Sequence, residues 1–245
     1  NIPTAHLEGG DLTEGGALDD SVRHAMTKLA HFHFTTNEQA AQRVLGLGEE
    51  PWRVHNVGFP VIDLIHERDF ASPNDLANQF ALDFKQPIVI FTQHSITTEV
   101  ESVVDQIAGP LEALKLLAEN GTQVIATYPN NDAGGRTIIK YMTESGFASL
   151  ENVQVHKSLG RSNYHGLLNA CVNHATGICV GNSSSGIKET PAFGCPTVNI
   201  GARQSGRLRA DNVLDVGYGE VEVLEACKKA LFDDEFRARC RKAFN

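Results

Sequence analysis

No two of the five cysteines, Cys171, Cys179, Cys195, Cys227 and Cys240, stand in a Cys-x-x-Cys pair. Their odd number gives no disulfide framework, and a reducing cytoplasm is the expected compartment. Long apolar runs are missing too: none approaches the ~20 residues that a membrane-spanning helix needs, and no stretch resembles a signal peptide. Positive charge is scarce. Lys and Arg number 21 against 30 Asp and Glu, a formal net charge of -9. That balance argues against nucleic acid or an anionic membrane as partner, because both reward clustered cations. Small anionic ligands stay open, since local cations decide such sites. Repeats and low-complexity tracts are absent as well. What remains, at 245 residues, is a chain long enough to bury a large core.

Strand-like and helix-like segments alternate along it with short Gly, Pro or Asn punctuation, the pattern of an α/β protein whose parallel sheet is covered by helices. Val22, Ala25, Met26 and Leu29 recur at helical spacing and predict a helix over 20–31, followed by an alternating strand over 31–35. A helix over 38–47 and a strand over 52–57 come next. Gly58-Phe59-Pro60 then breaks the rhythm, a more polar region runs to Gln86, and a domain boundary is placed between 1–59 and 60–245. From Pro87 the alternation restarts, with strands over 88–91, 123–127, 153–155, 177–180 and 197–200. Helices are expected over 97–119, 133–145 and 164–175 and after Gly181. This predicts a doubly wound, Rossmann-like domain, whose ligands bind beyond the carboxyl ends of the strands. The chain begins without Met at Asn1 and stops at Asn245 without a cap, so both ends are expected to be cut.

The strand exits carry the candidate chemistry. Gly181-Asn182-Ser183-Ser184-Ser185-Gly186 joins an apolar strand to a helix, and small residues with free first-turn amides suit a phosphate. Ser183 and Ser184 are equally readable as ordinary helix caps. Arg203, after the strand that ends at Gly201, brings a permanent cation to the same sheet edge. His94, Asn130 and Lys157-Ser158-Leu159 stand at three further exits. Singly each is a common loop residue; together with Ser183, Ser184, Glu189 and Arg203 they are expected to line one rim. In the first segment, Glu8 ends a strand against Gly9-Gly10 and is a candidate acid or base. Asp19, Asp20 and His24 surround a helix start, where carboxylates also stabilise the macrodipole. His31 and His33 mimic a metal pair on one strand face, yet no third ligand is spaced to complete a site, so no metal is expected.

Taken together, His6-Leu7-Glu8-Gly9-Gly10, the run Leu18 to His31, Gln93-His94-Ser95-Ile96-Thr97-Thr98-Glu99, Tyr128 to Gly134, Gly181 to Gly186 and Pro196 to Arg207 resemble the hydrolysing UDP-N-acetylglucosamine 2-epimerases. These are the bacterial sialic-acid-pathway enzymes and the epimerase half of the animal bifunctional enzyme. The similarity runs in order along nearly the whole chain. It implies a glycosyltransferase-B-like fold of two Rossmann-like domains, with 1–59 the last part of the first and 60–245 the UDP-binding second. The resemblance also implies a UDP-sugar substrate, UDP as leaving group, a glycal-type intermediate, a free manno-configured acetamido sugar as product, no cofactor and a homodimer. By motif, Glu8 and Asp19 match carboxylates that move protons, and His94 a histidine that steadies the departing diphosphate. His24, Asn130 and Arg203 match further substrate contacts. Ser183 and Ser184 match the phosphate cradle, Glu189 the acid that receives ribose hydroxyls, and Ser158 and Leu159 the uracil-reading backbone. One departure stands out: the run from Gly9 to Leu18 is longer than the sialic-pathway pattern, which fits a different acetamido sugar such as the diacetamido-trideoxy hexose of the legionaminic acid route. A retaining glycosyltransferase of the same architecture and a nucleotide-sugar-binding module without turnover are the competing readings.

Overall fold

The computed structural model describes residues 2–12 and 18–244. Two parallel sheets form within them. The first, in the order β1-β2-β3, takes β1 (Ala5–Leu7), β2 (Phe32–Thr35) and β3 (Val54–Asn56), connected through α1 (Leu18–Leu29) and α2 (Glu38–Gly46). Asn37 starts α2 because its extended backbone lets the side-chain oxygen accept the Ala40 N–H at 2.9 Å, which satisfies a donor the helix itself leaves unpaired. Glu49, with its side chain only 3% exposed, takes Lys28, His33 and Arg53 at 2.5, 3.1 and 2.9 Å. That carboxylate thereby ties α1, β2 and the turn before β3 together. The two histidines expected on one strand face part company here. His31 precedes β2 and its Nδ1 accepts the Thr4 N–H, whereas His33 is buried against Glu49.

Two helices, α3 (Val61–His66) and α4 (Pro73–Phe80), occupy the region read as merely polar. The second had a local signal: Ser72 accepts the Asp75 N–H, Pro73 opens the helix, and Leu76 and Phe80 lie one turn apart on the buried face. The larger sheet contains β4 (Ile88–Thr92), β5 (Gln123–Thr127), β6 (Val153–His156), β7 (Gly177–Gly181), β8 (Thr197–Ile200) and β9 (Val213–Val216), all parallel. Its helices are α5 (Val103–Glu119), α6 (Gly135–Glu144), α7 (Gly160–Asn173), α8 (Ser185–Lys188), α9 (Thr190–Phe193), α10 (Glu220–Phe232) and α11 (Asp234–Cys240). Beyond the last expected strand, 197–200, the structure adds β9, α10 and α11. The helix expected from 97 begins as α5 only at Val103, and residues 93–99 form an irregular loop.

Successive side chains of a strand point to opposite faces. Val89 and Phe91 accordingly enter one core cluster, with Ile107, Leu111 and Leu114 of α5, Ile138 of α6 and Val223 of α10. Ile88 and Ile90 enter the other, with Leu76 and Phe80 of α4 and Leu167 and Leu168 of α7. Both faces of the sheet are therefore covered, which is why its strands read as continuous apolar runs rather than alternating ones. Each such side chain contributes roughly 1.5–3 kcal/mol by leaving water. Among the described residues, no helix is long and apolar enough to cross a membrane.

Candidate active site

The order of the larger sheet is β6-β5-β4-β7-β8-β9. From β4 the chain winds outward through β5 and β6; from β7 it winds the other way through β8 and β9. The connections leaving β4 and β7 diverge, and a crevice opens at their carboxyl ends. His94 lies just past β4 and Asn182 just past β7, so the two motifs singled out from sequence meet at the point where the winding reverses.

Asn182 holds that junction together. Its side-chain oxygen accepts the His94 N–H at 2.7 Å and its Nδ2 donates to the His94 carbonyl at 2.8 Å. Its own carbonyl accepts from Arg203 at 3.2 Å and from Gln204 Nε2 at 2.8 Å. At 1% exposure, this one amide fixes the exits of β4, β7 and β8. The same two bonds anchor the loop over 93–99 at its start. Asn182 was not singled out from sequence; an Asn directly after a strand-ending glycine was the available signal.

A cavity of about 440 Å³ lies beyond these exits. His94, Asn130, Ser158, Leu159, Ser183 and Glu189 share its wall. His94 Nδ1 accepts the Asn130 N–H at 3.0 Å. Burial first, and the Arg203 charge second, push the imidazole down to about 4. The ring is therefore neutral near pH 7, and with Nδ1 accepting, the proton sits on Nε2, a neutral donor available to a ligand. Titration of the His94 ring by NMR is expected to show a pKa near 4; a value near the ordinary 6.5 would remove the buried, cation-flanked environment. The unfolded chain takes up this proton as the pH falls from about 6.5 and the native chain does not until about 4. The stability this group allows above pH 6.5 is thus lost through that window.

Glu189 is steered by a residue the sequence reading missed. His165 Nε2 lies 2.7 Å from Glu189 Oε2, with His165 itself 1% exposed. Similarly Tyr164 places the Ser185 hydroxyl at 2.7 Å, and that oxygen lies 3.1 Å from Ser183 Oγ. Ser184 is placed differently from Ser183: it is the N-cap of α8, its side chain makes no capping bond, and it is not on the cavity wall. Only four residues long, α8 supplies little dipole, so the polar character of the turn comes from its hydroxyls and amides. Arg203 is also off the wall, lying behind His94 between Asn182 and Asp132, the latter at 3.9 Å. Asp19 of α1 comes close enough for its charge to act on Arg203, against the burial that lowers the guanidinium's pKa. His24, on the same helix, has a buried Nδ1 with no hydrogen-bond partner among the described residues.

Glu8 stands at the end of β1 in the left-handed region, φ 62, which costs a non-glycine residue roughly 1–2 kcal/mol. Its N–H bonds to Phe34 O at 2.9 Å, and Lys188 of α8 reaches across from the other sheet to within 3.2 Å of its carboxylate. The carboxylate is still 43% exposed and open to a ligand. Lys188 went unremarked in the sequence, where nothing marks it apart from any helical lysine. Thr13 to Ala17, the centre of the longer run between Glu8 and Asp19, lie outside the described residues.

With this geometry in hand, three comparisons bear on the chain. The sequence profile of the UDP-N-acetylglucosamine 2-epimerase family matches residues 1–245. A Legionella pneumophila protein named UDP-N,N'-diacetylbacillosamine 2-epimerase (hydrolyzing) is 35% identical over 94% of this chain and 58% of its own length. The Campylobacter jejuni GDP/UDP-N,N'-diacetylbacillosamine 2-epimerase (hydrolyzing) is 33% identical over 97% of this chain and 59% of its own. The chain thus spans about three fifths of the length of these relatives. Among solved structures, the Neisseria meningitidis UDP-GlcNAc 2-epimerase bound to UDP-GlcNAc superposes with a TM-score of 0.72 at 17% identity, covering 98% of this chain and 64% of that one. At that identity the likeness speaks for the fold, which is glycosyltransferase-B-like.

Proposed function

This chain belongs to the UDP-N-acetylglucosamine 2-epimerase family, and on that premise we propose that it serves a hydrolysing 2-epimerase acting on a UDP-linked acetamido sugar. One observation carries the reading: a neutral histidine donor and a polar turn meet at the switch point of the larger sheet, while Lys188, at the end of the helix that follows this turn, reaches an accessible carboxylate of the smaller sheet, Glu8. Uracil would lie along Ser158 and Leu159 and the ribose hydroxyls on Glu189. The diphosphate would lie among Ser183, the amide of Ser184, His94 and Asn130, backed by the Arg203 charge. In this arrangement a carboxylate, Glu8 or Asp19, takes the C2 proton while the C1–O bond breaks and its electron pair leaves with UDP. The glycal that forms then gains hydroxide at C1 and a proton at C2 from the opposite face, giving a free manno-configured sugar. Fixed donors around the leaving group stabilise the charge that develops there, and His24 serves as a sugar contact. We read 1–59 and 60–245 as two domains that close on the substrate, within a homodimer.

The relatives' names support testing two sugars, UDP-N,N'-diacetylbacillosamine and UDP-GlcNAc. Incubation of the intact enzyme with each in deuterated water is expected to release UDP and a sugar deuterated at C2. UDP release that depends on an added acceptor would instead mean glycosyl transfer, and binding without turnover would mean a nucleotide-sugar-binding module. Arg203→Ala is expected to weaken UDP binding by roughly tenfold, through loss of the charge behind the diphosphate and of the bond that fixes the Asn182 carbonyl. Calorimetry returning the parent affinity would take Arg203 out of the binding role.

A further inference from the structure

We propose that Lys188 is a positioning residue that aims the Glu8 carboxylate from the opposite domain, an inference that rests on the acid-base role given to Glu8. Lys188 ends α8, the single turn that follows Ser183 and Ser184. Neighbouring residues of this turn face different spaces: Glu189 lines the cavity at the switch point, whereas Lys188 lines a second cavity of about 500 Å³ between the two sheets. There its ammonium touches three groups of the first 59 residues. It lies 3.2 Å from Glu8 Oε2, it pairs with Asp11, and it sits 5.1 Å from the centre of the Phe59 ring.

Several features distinguish this from a surface ion pair. The lysine side chain is only 17% exposed and that of Asp11 9%, so the cation is held in one place rather than sampling solvent. Arg207, from the loop after β8, donates to Leu12 O at 2.9 Å, and two cations of the larger unit therefore clasp the segment that follows β1. The backbone of Glu8 is itself in a left-handed conformation, a state that persists only where its surroundings impose it. Glu8 has one carboxylate oxygen on Lys188, and among the described residues no partner is seen for the other. Because Lys188 ends the helix that follows the turn assigned to the diphosphate, its side chain ties the position of the proton-moving carboxylate to that turn. Acid-base chemistry is sensitive to that distance, since a misplacement of about 1 Å costs on the order of a hundredfold in rate.

The test is a double-mutant cycle in the intact enzyme. Lys188→Met is expected to lower kcat by roughly ten- to a hundredfold with UDP affinity little changed, and Lys188→Arg to restore most of it. In a Glu8→Gln background, Lys188→Met should add almost nothing, because the group it positions is already gone. Lys188→Gln carries the same comparison if the Met variant is poorly folded, and UDP affinity reports the fold in each. Parent-like kcat in Lys188→Met or Lys188→Gln, or effects of Glu8 and Lys188 that multiply in the double variant, would overturn the proposal. Full activity of Glu8→Gln alone would instead remove the premise about Glu8.

Discussion

Glu8→Gln is expected to cut turnover by about a hundredfold or more while leaving UDP affinity near that of the parent. The amide keeps the shape of the carboxylate but accepts no proton from C2, so the loss falls on the chemical step. Ground-state binding is spared because the proposed arrangement holds UDP elsewhere, on groups of the larger sheet that Asn182 and His165 fix in place. Glutamine can still accept a hydrogen bond from Lys188, which keeps the segment after β1 in place and separates loss of the base from loss of the domain contact. Steady-state rates with a UDP-acetamido sugar, beside UDP titration calorimetry, check both halves. Parent-like turnover would show that another group, Asp19 foremost, moves the proton.

Replacing Gly181 by alanine should be the most damaging glycine-to-alanine change among the described residues. Gly181 has φ 124, and a Cβ there would stand 1.9 Å from the Thr92 carbonyl oxygen. The clash is with backbone of the adjacent central strand, paired at Thr92 and Gly181, so no side-chain rotation relieves it. Relief requires the exits of β4 and β7 to separate, which pulls Asn182 away from His94. A loss of about 4 kcal/mol is expected, the range of severe overpacking with backbone strain, and a fall in Tm on the order of 10 °C for a chain of this size. Gly48→Ala is the control. Its φ is also positive, at 89, but nothing lies within 4 Å of the added methyl, so only the left-handed strain of roughly 1–2 kcal/mol applies. Equal melting temperatures for the two variants would mean that the close approach at Gly181 does not matter.

Much of the architecture was legible because it is written in local patterns. Four buried residues in a row, Ile88 to Phe91, announce a central strand, and Asn37 and Ser72 announce helix starts through bonds made within three residues. The Ser72-Pro73 signal is just as local, but the polarity of residues 60–86 hides a short helix with only two buried positions. Chemistry-bearing residues at strand exits were also recoverable, since doubly wound sheets place ligands there whatever the sequence. The different placements of Ser183 and Ser184 were not, because which of two adjacent serines faces a cavity depends on the turn's rotation. Nor was the service that His165 gives Glu189, which depends on how α7 packs beside β7.

By itself, then, the amino-acid sequence determined the types of most elements as far as β8, their parallel arrangement and the inventory of polar groups at the strand ends, each recorded in the period or spacing of neighbouring residues. Tertiary structure alone decided that β4 lies beside β7, that Asn182 grips the His94 backbone across 88 positions, and that Lys188 meets Glu8 across 180. Contacts of that range leave no local period behind. They exist only once burial of both faces of the larger sheet has set its strand order, and the small sheet has been brought against the end of it.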